Sequence, residues 1–379
     1  MPSTTLRRQI MAGVRSVVVK AGTNLLTRDH GKLDQKVISS LTDQLAAMTQ
    51  RGIKVTLVSS GAVGSGMGKA GMAKRPRSLP ALQAAAAIGQ PLLMSMYEQE
   101  FARHELLVGQ ILVTRKDFEQ RSRYVHISNT IGALHKLKAV PIINENDTVA
   151  VDELDRFADN DTISALITNL IEADLLIILS DIEGLCEADP RYHPQARCIH
   201  LVEDIDMGLG EIAGGTEGQW SVGGMVTKIE AAKKASRFGI PTMIACGTKE
   251  GILHQILGGK EVGTLILPKR RILSSRKGWI AFHLKPKGEV VVDDGAKKAL
   301  CQRGKSLLAS GVMKVNGIFD RGDAVSCIGP KGKEFARGLV NYNASELEKI
   351  KGLPSSQIEK ALGFKYSDEV IHRNNLVVL

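Results

Sequence analysis

The sequence predicts an α/β fold with a three-layer, doubly wound and mainly parallel sheet, followed by a small, mostly β domain. In the first 269 residues, short runs of Val, Ile and Leu alternate with longer helical patterns. A repeated β-then-α order is typical of a parallel sheet with helices on both faces. Beyond residue 278 the pattern changes to short strands separated by Gly-rich turns. The change in pattern predicts a second domain.

The predicted strands of the first part have few polar alternations, as expected for strands buried on both faces. They are Ser16–Lys20, Lys54–Ser59, Val108–Val113, Val140–Asn144, Leu175–Ser180 and Pro241–Ala245. The helices predicted between them are Asp34–Arg51, Ala81–His104, Tyr124–Lys138, Asp161–Glu172 and Gly224–Phe238. Ligands of such sheets bind beyond the carboxyl ends of the strands, so we expect the chemistry in the loops that follow them.

The domain limits follow from the same change in pattern. We predict a first domain over residues 1–269, a basic linker over 270–278 and a second domain over 279–379. The strands predicted in the second domain are Gly288–Val292, Gly311–Val315, Ala324–Ile328 and Ala336–Asn341, with one helix near Gly295–Gln302. Short strands with glycine turns indicate a small barrel-like β domain.

The net charge of +10 belongs to the second part of the chain. Residues 1–269 hold 30 Lys and Arg against 29 Asp and Glu, a net charge of +1, and residues 270–379 hold 20 against 11, a net charge of +9. Any affinity for nucleic acid is therefore expected in the second domain.

Composition also bears on location. No run approaches 18 apolar residues, so no transmembrane helix and no membrane partner are predicted. The N-terminus lacks a small-residue cleavage site, and the five cysteines are an odd number without a CxxC pair. We expect unpaired thiols in a cytoplasmic protein.

Two of the loops after predicted strands carry candidates for binding anions. Lys20 ends the first strand and is followed by Gly22, which allows close approach to a ligand; the alternative is a lysine that reaches solvent. The stretch Ser59–Gly64 offers hydroxyl and amide donors for a carboxylate, or is a flexible surface loop. The downstream GxGxxG pattern is not read as a dinucleotide site, because its glycines lie late and a helix follows.

Two other loops are candidates for an ammonium and a phosphate. Residues 145–161 hold seven carboxylates and one arginine, which indicates either a solvated loop or an ammonium site. Asp161 is also a plausible helix N-cap. Ser180-Asp181 ends a very apolar strand, and Gly223-Gly224 opens a helix that carries Lys228; free amides near a cation suit a phosphate. The scattered histidines and cysteines predict no metal site formed by the protein.

Together these motifs resemble the amino-acid kinase family over residues 16–267. The matching motifs are Val19-Lys-Ala-Gly-Thr23, Ser59-Ser-Gly-Ala62, Pro141-Ile-Ile-Asn-Glu-Asn-Asp147, Asp159-Asn-Asp161, Asp189-Pro-Arg191 and Gly223-Gly-Met…Thr-Lys228. Residues 278–370 resemble a PUA domain through Gly288-Glu…Val-Asp-Asp-Gly295 and Arg321-Gly-Asp323.

The resemblance implies that ATP phosphorylates the side-chain carboxylate of L-glutamate, as in the first step of proline biosynthesis. The residues it assigns to catalysis are Lys20, Lys228 and Asp161. The residues it assigns to glutamate are Ser60, Asp147 and Asn160. The residues it assigns to the nucleotide are Lys20, Ser180, Asp181, Val222, Gly223, Gly224, Met225, Val226, Thr227 and Lys228.

The implied partners are L-glutamate, ATP and Mg²⁺ carried on the nucleotide. The resemblance also implies a homo-oligomer (a dimer or tetramer) and feedback inhibition by proline. A carboxylate is already an adequate nucleophile, so two lysines and glycine-rich amides suit this chemistry. Two alternatives stay open: a sibling kinase for another carboxylate or carbamate, and an RNA-binding protein in which the basic C-terminal domain leads.

Overall fold

The computed structural model describes residues 3–28, 32–149, 160–188, 193, 195–205, 223–268, 280 and 284–379. The chain folds into two compact units, Met1–Ile272 and Leu273–Leu379. Each unit has its own hydrophobic core. The predicted basic linker, residues 270–278, lies outside the described residues, so the predicted domain limits stay predictions.

The first unit is built on one eight-stranded sheet. Its strands are β1 (Ser16–Ala21), β2 (Lys54–Ser59), β3 (Val108–Val113), β4 (Val140–Glu145), β5 (Leu175–Ser180), β6 (Leu201–Val202), β7 (Thr242–Cys246) and β8 (Thr264–Ile266). Their order is β3-β4-β2-β1-β5-β7-β8-β6, and only β7 and β8 pair antiparallel among the described strands. The predicted mainly parallel sheet is confirmed. The sequence pattern missed β6 and β8, which are too short to show a period.

Helices alternate with these strands along the chain. They are α1 (Ser3–Ala12), α2 (Thr23–Leu26), α3 (Gln35–Gln50), α4 (Ala62–Lys69), α5 (Leu79–Ala102), α6 (Arg115–Glu119), α7 (Arg121–Lys136), α8 (Asn160–Leu170), α9 (Gly223–Arg237) and α10 (Ile252–Leu257). The five predicted helices correspond to α3, α5, α7, α8 and α9. The remaining helices, α1, α2, α4, α6 and α10, were not predicted from the sequence.

Helices cover both faces of the sheet. On β1, the alternate side chains of Val17 and Val19 join the core that also contains α3 and α5. Successive side chains of a strand point to opposite faces, so Val18 and Lys20 point the other way. Both are nevertheless buried, and α8 packs against β1. This arrangement gives three layers and directs Lys20 towards α8.

The second unit is mostly β. Its strands are β9 (Gly288–Val292), β10 (Leu307–Leu308), β11 (Val312–Gly317), β12 (Ala324–Ile328), β13 (Glu334–Leu339), β14 (Glu369–Ile371) and β15 (Leu376–Val378). Its helices are α11 (Asp294–Arg303), α12 (Ala344–Ile350) and α13 (Ile358–Leu362), with 3₁₀ turns at Ala309–Gly311, Ser355–Gln357 and Arg373–Asn375. A sheet of order β11-β9-β12-β13-β15 is accompanied by a β10-β14 pair. The predicted helix is α11, whereas α12 and α13 were not predicted.

The N-terminal helix α1 is fastened to the first unit by a buried arginine. The Arg7 side chain is only 1% exposed. Its guanidinium donates hydrogen bonds to the backbone carbonyls of His200, Lys260, Val262 and Gly263. These contacts hold α1 against the segment that leads into β8.

One expectation about the cysteines is wrong. Cys186 and Cys198 face each other across an antiparallel bridge and are joined by a disulfide. Their sequence spacing could not reveal this pairing, because it depends on a reversal of the chain between them. Among the described cysteines, the free thiols are those of Cys246, Cys301 and Cys327.

Candidate active site

Three charged side chains predicted to act on a phosphoryl group lie together at the carboxyl end of β1. Asp161 Oδ1 is 2.6 Å from Lys20 Nζ, and Asp161 Oδ2 is 3.3 Å from Lys228 Nζ. Thr227 Oγ1 donates a hydrogen bond of 2.7 Å to the same Oδ2. Asp161 is 1% exposed and Lys20 is 4% exposed. The site therefore contains a buried carboxylate between two ammonium groups.

The environment of Asp161 determines its charge. Burial alone would raise the pKa of its carboxyl, because a buried carboxylate loses its hydration. The charges of Lys20 and Lys228, together with hydrogen bonds from Lys20 and Thr227, outweigh burial and hold the pKa below its ordinary value. The carboxylate is therefore ionised at neutral pH and fixes the positions of both ammonium groups.

Local sequence explains how each group reaches this point. Lys20 lies near the end of β1, and a Cβ atom on Gly22 would lie 3.3 Å from Lys20 Nζ, so the glycine leaves room for the ammonium. Asp161 is in the first turn of α8, where the helix dipole favours a negative charge. Lys228 is in the second turn of α9, whose first residues are two glycines.

A cavity of about 200 Å³ opens beside the charged cluster. Its described lining residues are Lys20, Gly22, Thr23, Asn24, Leu25, Ser60, Asp161, Leu179, Ser180, Asp181, Thr227 and Lys228. Ser180 ends β5, and its Oγ donates to Asp181 Oδ1 at 3.1 Å. The cavity thus joins residues predicted to bind the nucleotide to one residue, Ser60, that was predicted to bind the acceptor.

The rest of the predicted nucleotide segment lies at the start of α9. Gly223 and Gly224 are its first two residues. Met225 is buried and Val226 is half exposed, and neither is among the described residues that line the cavity. Val222 lies outside the described residues, as do Asp159 and Asp189 of the motifs.

A network of polar side chains extends from Ser60 away from the lysines. Asn160 Nδ2 donates to Ser60 Oγ at 2.8 Å and to Asn144 Oδ1 at 3.0 Å. Asn144 Nδ2 in turn donates to Gln90 Oε1 at 2.8 Å. Ser60 and Asn160, which were both predicted to bind glutamate, are therefore in direct contact.

Two members of this network had no predicted role. Asn144 had a detectable signal, because it ends the apolar strand predicted from the sequence and lies next to the last residue of β4. Gln90 had none, because it lies inside the long helix α5, where nothing in the pattern separates it from other polar positions.

Asp147, the third residue predicted to bind the acceptor, lies in the turn that follows β4 and is half-buried. It is not among the described residues that line the 200 Å³ cavity. The following residues, 150–159, are outside the described part of the chain. The structure therefore places Asp147 on the same rim as Asn144, three residues further on.

Comparison with known proteins identifies the family. Residues 15–246 match the amino acid kinase family, and residues 288–362 match the PUA domain. The chain belongs to the amino acid kinase family. The described residues of the charged cluster, the cavity and the polar network all lie within the matched segment.

Full-length relatives extend this kinase assignment. The chain is 48% identical over 374 residues to a glutamate 5-kinase of Pelobacter propionicus, which covers 99% of this chain and 100% of that protein. It is 50% identical over 374 residues to a glutamate 5-kinase of Geobacter metallireducens, with the same coverage. A glutamate 5-kinase of Caldanaerobacter subterraneus subsp. tengcongensis is 49% identical over 363 residues, or 96% of this chain and 97% of that protein.

A solved structure of isopentenyl phosphate kinase aligns with 66% of this kinase and 99% of its own chain, at a TM-score of 0.46 and 14% identity. This likeness is too low to contribute to the assignment, which depends on the sequence matches.

A larger groove of about 790 Å³ lies elsewhere in the first unit, along α3 and α5. Three of its charged side chains pair with one another: Arg103 NH1 lies 2.6 Å from Glu100 Oε2 and 3.7 Å from Asp43 Oδ1. The groove contains none of the residues predicted for catalysis or substrate binding, so it is a weaker candidate than the smaller cavity, where two lysines face one carboxylate.

Two further observations concern the kinase as a whole. Among the described residues, no group of three or more His, Cys, Asp or Glu side chains is arranged to hold a metal ion. None of the helices in the described ranges is long and apolar enough to cross a membrane.

Proposed function

We propose that this kinase transfers the γ-phosphoryl group of ATP to the side-chain carboxylate of L-glutamate. The product is L-glutamyl 5-phosphate, formed in the first step of proline biosynthesis. The observation that carries the proposal is one cavity in which Ser60, of the polar network, lies beside the lysine pair held by Asp161. Relatives that are 48% and 50% identical over almost the whole chain, and are named glutamate 5-kinase, support glutamate as the acceptor.

The transfer needs positioning and charge neutralisation rather than a strong base. A carboxylate oxygen of glutamate attacks the γ-phosphorus, the bond from that phosphorus to the β,γ-bridging oxygen breaks, and ADP leaves with the electron pair. No proton has to be removed from the nucleophile, since the carboxylate is already ionised near neutral pH. The oxygens of the transferring group share negative charge in the transition state.

Lys20 and Lys228 are suited to that charge. Both ammonium groups lie at the cavity and are held by one ionised carboxylate, so they need little rearrangement when the phosphates bind. Asp161 orients the two lysines. Ser180, Asp181 and the start of α9 would hold the nucleotide at the adjacent strand ends.

The nucleotide would bring its own magnesium ion. Both carboxylates that line the cavity already have partners in the protein. Asp161 forms ion pairs with Lys20 and Lys228, and Asp181 accepts a hydrogen bond from Ser180. Mg²⁺ commonly keeps several waters and binds substrate phosphates, with few carboxylates from the protein. MgATP is therefore the proposed phosphoryl donor.

At the acceptor side, Ser60 and Asn160 would bind glutamate, with Asp147 taking its ammonium group. Glutamate carries one positive and two negative charges, so a site with a carboxylate at one end and lysines at the other matches its charge distribution. Asp147 follows β4 at the rim of the sheet where Asn144 contacts Asn160.

The decisive experiment measures ADP release from MgATP with glutamate, aspartate or N-acetylglutamate as the acceptor. We expect turnover with glutamate to exceed turnover with either analogue, because aspartate is one methylene shorter and N-acetylation removes the positive charge. Equal turnover with N-acetylglutamate would exclude the role of Asp147, and ADP release independent of glutamate would exclude glutamate as the acceptor.

The second unit is proposed to bind RNA weakly through the phosphate backbone. Its support is the net charge of +9 beyond residue 269. Stacking of RNA bases on Tyr366 is less favoured, because its ring already packs against two side chains. Arg321 Cζ lies 4.1 Å from the centroid of the Tyr366 ring, and the centroid of the Phe364 ring lies 4.7 Å from it. Filter binding of the full chain to RNA should fall steeply between about 50 and 200 mM salt. If the filter retains no RNA at about 50 mM salt, the proposal of RNA binding is wrong, and the basic side chains of the second unit only interact with solvent.

Two further proposals follow from the family resemblance, a homo-oligomer and feedback inhibition by proline, and a third, a cytoplasmic location, follows from the composition of the chain. Light scattering tests the first, and glutamate-dependent ADP release with added proline tests the second.

A further inference from the structure

Helix α5 directs two polar side chains at the proposed acceptor site. Gln90 and Tyr97 are seven residues apart, and residues at this spacing lie on the same face of a helix. Gln90 contacts Asn144, next to the last residue of β4, and Tyr97 contacts Ser59, the last residue of β2. One helix face therefore reaches the carboxyl ends of both strands that precede the acceptor residues Ser60 and Asp147.

The contact of Tyr97 leads to the backbone of Ser60. Tyr97 is completely buried, and its hydroxyl lies 2.8 Å from Ser59 Oγ. Ser59 Oγ donates in turn to the carbonyl of Ser60 at 3.1 Å. A serine hydroxyl has one hydrogen, so when Ser59 donates it to Ser60, Tyr97 must donate to Ser59. Burial raises the pKa of the Tyr97 hydroxyl, which therefore stays protonated and able to donate.

The contact of Gln90 determines the orientation of Asn144. Gln90 Oε1 accepts from Asn144 Nδ2, so the Oδ1 atom of Asn144 is turned towards Asn160. The backbone N–H of Glu145 also donates to this Oδ1, at 2.9 Å. An acceptor on α5 thus determines which end of the Asn144 amide faces the site.

The orientation of Asn144 in turn determines that of Asn160. Both amide hydrogens of Asn160 are directed at acceptors, one at Asn144 Oδ1 and one at Ser60 Oγ. The Oδ1 atom of Asn160 is buried, and no hydrogen-bond donor reaches it from the described residues. A buried acceptor without a donor is costly, so this oxygen is suited to a donor group of a ligand, such as an ammonium.

Helix α5, which carries Gln90 and Tyr97, is held in a fixed position because its backbone packs directly against the backbone of α4. A Cβ atom on Gly66 would lie 1.7 Å from the carbonyl oxygen of Ala85, and one on Gly89 would lie 1.8 Å from that of Ala62. Neither position can hold a side chain unless the helices separate. Gln90 directly follows Gly89, so its position is fixed by this contact.

We infer that Gln90 and Tyr97 are positioning residues for the acceptor: Tyr97 holds Ser60 through Ser59, and Gln90 holds Asn160 through Asn144. Neither residue needs to touch the substrate. The inference rests on the proposed function, since it concerns the orientation of glutamate in that site. It assigns the two contacts to the acceptor side alone, because neither residue is among those lining the cavity beside Lys20 and Lys228.

The test compares Tyr97→Phe, Ser59→Ala and Gln90→Met in the full chain. Tyr97→Phe keeps the ring that packs near Phe101 and removes only the hydroxyl, so it is expected to fold. Losing one such hydrogen bond should raise the KM for glutamate about fivefold. The KM for ATP and kcat should stay within about twofold. A residue with a merely structural role would not raise the KM for glutamate while leaving the KM for ATP and kcat unchanged.

Double variants sharpen the result. Tyr97→Phe combined with Ser59→Ala should be no worse than either alone, because both changes interrupt the same chain of hydrogen bonds. Tyr97→Phe combined with Gln90→Met should raise the KM for glutamate more than either change alone, but the two effects should not simply multiply, because the two chains of hydrogen bonds meet where Asn160 donates to Ser60.

Two matched controls lie in the same unit. Tyr124→Phe removes a buried hydroxyl that accepts from Asn169, near the far end of α8. Gln44→Met removes an amide oxygen that accepts from the N–H of Leu253 at 2.9 Å. Both should alter thermal stability to a similar degree as their counterparts and leave the KM for glutamate unchanged.

The outcomes are distinguishable. If the wild-type chain shows no glutamate-dependent turnover, the proposed function fails and the inference fails with it. If the wild-type chain is active but the Tyr97 and Gln90 variants keep its KM for glutamate, or raise both KM values together, the inference alone is overturned.

Discussion

Replacing Asp161 by Asn should destabilise the first unit more than any other single isosteric change at the site. Asp161 is 1% exposed and lies 2.6 Å from Lys20 Nζ and 3.3 Å from Lys228 Nζ. At an effective dielectric constant of about 20, the two attractions amount to about 6 and about 5 kcal/mol. Desolvation of the three charges offsets much of this sum. Removing one partner from a buried ionic group costs about 3–5 kcal/mol, which is the loss we expect for Asp161→Asn.

The pH dependence has a definite sign. Folding lowers the pKa of Asp161, so its contribution is present above the ordinary carboxyl pKa of 3.8 and is lost as the pH falls through the lower pKa of the folded state. The difference in unfolding free energy between wild type and Asp161→Asn should therefore be constant from about pH 7 to about pH 5 and shrink below about pH 4.

Urea unfolding followed by far-ultraviolet circular dichroism measures this difference. The second unit does not contain Asp161, so its transition serves as an internal reference. Asp43→Asn is the matched control, because the Asp43 side chain is 46% exposed and lies 3.7 Å from Arg103. It should cost less than about 1 kcal/mol. If Asp161→Asn is no more destabilising than Asp43→Asn at neutral pH, or if its effect does not change with pH, the assigned electrostatics are wrong.

Four further outcomes are expected from the same site. Lys20→Met and Lys228→Met should each lower kcat about 100- to 1000-fold while the KM for glutamate changes little, and a variant with normal kcat would show that its lysine does not contact the phosphoryl group. Asp147→Ala should cost about 2–5 kcal/mol in glutamate binding, visible as a raised KM for glutamate with an unchanged KM for ATP; equal loss for both substrates would contradict it. Gly22→Ala brings a Cβ within 3.3 Å of Lys20 Nζ and should lower kcat about tenfold without unfolding the protein, and unchanged kinetics would mean that the ammonium adjusts freely. A chain ending at residue 272 should keep glutamate-dependent ADP release, since the first unit has its own core, and an inactive but folded product would refute this.

The sheet of the first unit was predictable because its strands are buried on both faces. Runs such as Leu175–Ser180 consist almost entirely of aliphatic residues and are bounded by polar ones, so even their ends could be predicted. The pattern failed where an element depends on distant contacts. Helix α4 contains three glycines and forms because Gly66 allows it to pack directly against α5.

The residues of the candidate site likewise fall into those that the sequence predicted and those that it did not. Lys20, Asp161 and Lys228 could be assigned because the motifs that contain them resemble those of the amino-acid kinase family, and each lies within two turns of the end of an element. Gln90 and Tyr97 could not, because a polar residue within a long helix is usually a surface position. Their contacts with Ser59 at the end of β2 and Asn144 near the end of β4 depend on the tertiary packing of α5, which the local sequence does not encode.

In the charged cluster of Lys20, Asp161 and Lys228, the same contacts should contribute to both folding stability and catalysis. A lysine side chain is flexible, and fixing it costs about 2 kcal/mol of rotamer entropy. Asp161 offsets this cost for both lysines during folding, so the ammonium groups are in place before the phosphates arrive and the transition state gains their full electrostatic effect. Substitutions of strained catalytic residues often stabilise a protein while abolishing activity. Asp161→Asn should instead reduce both, whereas Lys20→Met leaves Asp161 one partner and relieves the repulsion between two ammonium groups. The lysine variants should therefore lose activity with a smaller loss of stability than Asp161→Asn, and the opposite order would show that Asp161 does not hold the lysines in place.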